Sequence, residues 1–127
     1  MPRIARIFLA LGSLGMLLAV ALGAFGAHVL KRTLTAEMLA IYATGVQYQV
    51  YHALGLLAIG LLALRLPDSK PLRWAGALMA VGVVLFSGSL YALSLSGIHR
   101  LGVITPFGGV AFLIAWLLLA IAASRIS

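Results

Sequence analysis

Four long stretches without a single charged side chain run through this sequence: Ile7 to Leu30, Met38 to Leu64, Trp74 to His99 and Leu101 to Ser124. Each is longer than the roughly 20 residues that cross a hydrocarbon core of about 30 Å as an α-helix. A chain of 127 residues with that pattern has no room for a soluble domain. Hydrophobic residues make up 64% of it and charged residues 9%, against about 45–50% and about 25% in soluble domains. The expected fold is all-α, a single transmembrane domain over 1–127: an antiparallel up-down four-helix bundle with short loops and spans near 7–30, 38–64, 74–97 and 105–124. The run after Arg3 and Arg6 is too long for the h-region of a cleaved signal peptide, so it counts as the first span.

The cations set an expected orientation. Arg3, Arg6, Arg65, Lys70, Arg73 and Arg125 fall on the side of the termini, and Lys31, Arg32 and Arg100 fall opposite. Six against three places both termini in the cytoplasm. The net charge of +7 is thus a topology signal, and nine scattered cations make a poor footprint for nucleic acid.

Helix ends are legible from local chemistry. Thr35 reads as the N-cap of the second helix, with Glu37 in the first turn near the positive end of the helix dipole. Gly97 reads as the stop of the third helix. Thr105-Pro106 reads as an N-cap followed by proline at the first helical position, which leaves residues 98–104 as an outer loop or a shallow re-entrant turn. The prolines and polar residues of Leu66-Pro67-Asp68-Ser69-Lys70-Pro71 predict a tight turn, so that the second and third helices form a hairpin.

Lipid tails are as apolar as leucine, so helices in a bilayer associate through close packing and interhelical hydrogen bonds. Gly15, Ala19, Gly23 and Ala27 form a ridge at four-residue spacing in the first helix, widened by Gly12 and Gly26. Gly76 and Ala80, and Gly108, Gly109 and Ala111, offer facing small surfaces. The second helix instead carries a polar stripe of Thr44, Gln47, Tyr48, Tyr51 and His52. Because lipid satisfies none of these groups, the stripe is expected to face Ser87, Ser89, Tyr91 and Ser94 of the third helix. Matching depths pair Thr44 with Tyr91 and Tyr48 with Ser87. With His28 and Thr105, these residues define a candidate polar cluster in the outer half of the bundle, above an inner half of Leu, Ile, Val and Ala.

The chemistry absent from the sequence narrows the function. No Asp or Glu lies in any span, which disfavours a drug/proton exchanger with a membrane-embedded carboxylate. There is no paired-carboxylate, Ser-His-Asp or phosphate-loop arrangement, so no enzyme is expected, and the chain has no Cys. His28 and His99, even joined by Glu37, make too thin a ligand set for a metal, and His28 and His52 lie at different depths, so no haem or other cofactor is expected. His52 is best read as a neutral structural histidine that donates across the helices, with ligand binding as the sharper alternative.

Gly23-Ala24-Phe25-Gly26-Ala27-His28, Gln47-Tyr48-Gln49-Val50-Tyr51-His52, Phe86-Ser87-Gly88-Ser89-Leu90-Tyr91, and Thr105-Pro106-Phe107-Gly108-Gly109 with Trp116 stand in that order along the chain. In these segments the sequence resembles the domain-of-unknown-function 423 family, which is similar to eukaryotic transmembrane protein 256. The resemblance implies a four-helix protein of the bacterial inner membrane and brings no substrate or reaction. The expected function is therefore non-catalytic: a structural or assembly role, or the binding of a small molecule or lipid. The partners expected are the lipid bilayer and a second copy or another membrane protein. A small oligomeric transporter or channel is the alternative.

Overall fold

In the computed structural model, which describes residues 1–126, the expected spans form α1 (Arg3–His28), α2 (Ala36–Ala63), α3 (Lys70–Ser96) and α4 (Thr105–Ser124). Short 3-10 turns, Leu30–Arg32 and His99–Val103, precede α2 and α4. All four helices are long and apolar enough to cross a membrane. The Thr35 hydroxyl accepts the Met38 amide at 3.2 Å, with Glu37 in the first turn. Ser69 caps α3 by accepting from Leu72 N, and Pro71 sits in that first turn, where its missing N–H costs nothing. Gly97 ends α3 in the left-handed region at φ 76°, a conformation open to glycine because it lacks a Cβ.

One cap differs from expectation. Thr105 is the first residue of α4, flanked by Ile104 in a helical conformation, and makes no capping bond. Residues 99–103 are a 3-10 turn that feeds straight into α4, so its first amides need no side-chain cap. The Thr105 hydroxyl bonds to Ser89 instead.

The α2–α3 hairpin forms the centre of an open bundle. α1 lies antiparallel along α2, and α4 antiparallel along α3, while α1 and α4 share no extended contact. Both termini and the 64–69 loop share one end, called here the terminal end; the 29–35 and 97–104 loops lie at the distal end. Ala5 and Phe8 of α1, Leu56, Ile59 and Ala63 of α2, Leu72, Ala75 and Met79 of α3, and Ala115 and Ala122 of α4 form one buried core. It fills the terminal half.

Small residues set the helix separations, at positions partly different from the ridge expected. A Cβ on Gly12 would stand 2.9 Å from the Ala53 carbonyl oxygen and the Leu57 nitrogen. One on Gly108 would collide with the backbone of Phe86, so α4 meets α3 there without a side chain between them. Gly76 accommodates the ring of Phe8 from α1. Ala19 is buried and Gly15 half-buried, as a contact ridge requires. A Cβ on Gly23, however, would stand an ordinary 3.6 Å from Val46, one on Gly109 would stand 4.0 Å from Phe86, and Ala27 is exposed. The cause is rotational: an i+4 ridge drifts round the helix, and Ala5, Phe8, Gly12, Ala19 and Gly26 mark the line that is actually buried.

Large apolar side chains cover the outside, among them Leu14, Leu17, Leu18 and Val20 on α1 and Val110, Leu113, Ile114 and Leu117 on α4. A surface of that kind is at home in lipid rather than water.

Candidate functional site

The distal half holds the polar side chains, and most of them are spent on ties between helices. Gln49, 4% exposed, is central. Its Nε2 donates to the Gly15 carbonyl of α1 at 2.9 Å, and its Oε1 accepts the Tyr91 hydroxyl of α3 at 2.5 Å. One carboxamide thus links three helices. The Tyr42 hydroxyl donates to the Leu22 carbonyl of α1 at 2.5 Å, and the Tyr42 and Tyr91 rings pack with centroids 5.4 Å apart. Ser87 Oγ donates to the Gly45 carbonyl at 2.7 Å. That approach is possible because Gly45 carries no side chain beneath the Tyr91 ring.

A second group joins α4 to the hairpin. Ser89 Oγ donates to the Phe86 carbonyl at 2.9 Å, so in the 2.6 Å Ser89–Thr105 contact it is Thr105 that donates. His52, also 4% exposed, lies flat on Phe112 with ring centroids 3.4 Å apart. Trp116 Nε1–H donates to His52 Nε2 at 3.0 Å. Nε2 is therefore unprotonated, and Nδ1–H donates to the Tyr48 carbonyl at 2.7 Å, which assigns the neutral Nδ1–H tautomer from its surroundings. The partner across the helices is thus a donor, Trp116, where a Tyr or Ser acceptor was expected.

These six interhelical bonds matter because lipid offers no substitute partner. At about 0.6 kcal/mol each for interhelical bonds in a bilayer, they contribute on the order of 3–4 kcal/mol. Among the described residues no buried side-chain nitrogen or oxygen lacks a partner, and no three His, Asp or Glu gather as a metal-ligand set.

The expected cluster is therefore divided. His52, Ser87, Ser89, Tyr91 and Thr105 are brought into the interior. Tyr48 is half-buried, its ring 4.5 Å from that of Phe86. Thr44 bonds back to the Ala40 carbonyl of its own helix. His28 is exposed at the distal end of α1. Gln47 and Tyr51, expected to face α3, lie instead on the outside: both are exposed, Tyr51 at 47%, Gln47 borders a cavity beside Gly23 and Gly26 of α1, and Gln47 Nε2 donates to the Tyr51 hydroxyl at 2.5 Å. Gln49, Tyr42 and Trp116 were not among the expected site residues. The signal for the first two was present in the line Tyr42, Gly45, Gln49, His52, Ala53, Leu56, whose three- and four-residue spacing marks the buried face of α2. α2 carries polar groups on two opposite faces, and the more conspicuous stripe lies partly on the outside.

A groove of about 570 Å³ runs between α1 and α3, with Leu14, Leu18 and Leu22 on one wall, Val84 and Gly88 on the other, and Gln49 and Tyr91 in its floor.

Residues 22–109 match the family described as "Protein of unknown function (DUF423)". The UPF0382 membrane protein YwdK of Bacillus subtilis is 51% identical over 120 residues, covering 94% of this chain and 98% of the relative. The UPF0382 membrane protein SSP2132 of Staphylococcus saprophyticus is 46% identical over 95% of this chain and 99% of its own. The UPF0382 inner membrane protein YgdD of Escherichia coli is 40% identical over 95% and 92%. No solved structure matches the chain. These relatives are bacterial and bear on the bacterial part of the resemblance only. With four membrane-length helices and matches of this extent, the chain belongs to the DUF423 family of UPF0382 membrane proteins.

Proposed function

We propose that this protein is a non-catalytic structural element of the bacterial inner membrane that works by assembling with other membrane-embedded helices. The observation that carries this reading is the division of its polar groups. Among the described residues, those inside all have partners, most of them ties that hold the four helices together, whereas Gln47 and Tyr51 are exposed on the outside. The terminal-half core around Phe8, Ile59, Leu72 and Met79 counts against a solute path through a single copy, so the oligomeric transporter alternative would need its path between copies. Both termini lie in the cytoplasm in this reading, supported by the six cations at the terminal end against three at the distal end.

Chemical crosslinking in native membranes tests the proposal. The full-length chain is expected in a species larger than the monomer, and recovery of monomer alone overturns it. A second reading, lipid binding, is favoured by the α1–α3 groove of ≈ 570 Å³. Native mass spectrometry separates the two: a lipid that stays bound, and is lost on Gly88→Leu, supports the groove.

A further inference from the structure

Gln47 stands about 16 Å along α2 from its first residue, and Tyr51 about 22 Å, on a helix about 42 Å long. Both are therefore near the middle of the hydrocarbon layer. After its bond to Tyr51, the Gln47 carboxamide still has one N–H and its Oε1 without a partner among the described residues, and the Tyr51 hydroxyl still has its proton. Polar groups left in that condition in hydrocarbon are costly, because lipid tails neither donate nor accept hydrogen bonds.

The surroundings of the pair are regular. Ala40, Thr44, Gln47, Tyr51, Leu54, Ala58 and Leu61 step by four and three residues in strict alternation along the outward face of α2, the seam of a two-stranded coiled coil. α3 provides the control. Away from its ends, its exposed side chains are Ala77, Val81, Val84, Ala92 and Leu95, with no polar group among them, as lipid alone requires.

We infer that the outward face of α2 pairs with the same face of a second copy of this chain, in parallel about a two-fold axis along the membrane normal. The chemistry of Gln47 selects the partner. A carboxamide is donor and acceptor at once, so each copy donates its remaining Nε2–H to the Oε1 of the other, and the two open groups are closed reciprocally. Two-fold pairing of copies inserted in the same direction brings like positions to like depth, so Gln47 meets Gln47 and the register is fixed by one polar position, as a single buried amide does in coiled coils. The inference rests on the assembly reading above and names its surface and partner.

The chain has no Cys, so single cysteines report proximity without interference. With the full chain in lipid nanodiscs or vesicles, Leu54→Cys and Leu61→Cys are expected to form disulfide dimers, and Val84→Cys on α3 and Leu113→Cys on α4 are not. Energy transfer between labelled chains in vesicles is expected to fall on Gln47→Leu, with dimerisation weakened about tenfold or more, and to recover in part with Gln47→Asn. Gln47→Leu replaces an exposed side chain, and an unchanged unfolding midpoint in detergent checks that it folds. Dimers formed equally at all four positions, or unaffected by Gln47→Leu, overturn the inference. Photocrosslinking from position 54 in native membranes separates it from the broader reading. Capture of a different membrane protein and no second copy overturns self-pairing and leaves assembly standing; capture of nothing overturns both.

Discussion

The terminal and distal halves of this bundle hold the same four helices together by different means. In the terminal half, contact is by shape: Phe8 against Gly76, with Ile59, Leu72 and Met79 fully enclosed. In the distal half it is by directed bonds from Gln49, Tyr42, Ser87, Thr105 and Trp116. In lipid an apolar contact gains only packing over what tails already offer, whereas a polar group gains a partner that tails never supply. Packing tolerates sliding; hydrogen bonds between named atoms do not. The apolar half thus supplies bulk adhesion, and the polar half specifies helix register.

The largest expected effect would test whether the distal half relies on bonds alone. Gly108→Leu drives a side chain into the Phe86 backbone and should cost about 3 kcal/mol or more, read as loss of the folded state in a denaturing-detergent titration. A mild effect would mean that α4 is free to move away from α3. Phe8→Ala, in the terminal half, should cost about 2–3 kcal/mol through the void over Gly76, in the same titration. Gln49→Leu removes two interhelical bonds at once and should cost about 1–2 kcal/mol, whereas Gln47→Leu should leave monomer stability unchanged. Equal losses from these two would erase the distinction between inward and outward faces of α2. The smallest change, Ser89→Ala, should cost about 0.5 kcal/mol and increase amide hydrogen exchange at the start of α4 more than in α1.

The spans, the Thr35 cap and the Gly97 stop were legible in the sequence because each depends on local rules: length without charge, a hydroxyl before a helix, a glycine after one. The rotation of each helix about its axis was less legible. α1 carries small residues on several faces, and nothing local distinguishes Gly12, which touches α2, from Gly23, which does not press on it. For α2 the rule that polar side chains in lipid face inward assigned Gln47 and Tyr51 to α3, whereas they stand exposed. Thr105 was misread for a related reason, since its nearest backbone amides and the distant Ser89 compete for one hydroxyl and only the fold decides between them.

The absence of extended contact between α1 and α4 bears on how the protein is made. Every extended interface joins helices adjacent in the chain, and the contacts that skip a helix, Phe8 on Gly76 and Trp116 on His52, are single side chains added to it. α1 and α2 can close as a hairpin while α3 and α4 are still being synthesised, and α4 then docks without disturbing what has formed. Loop closure is short at each step, which favours fast, sequential folding.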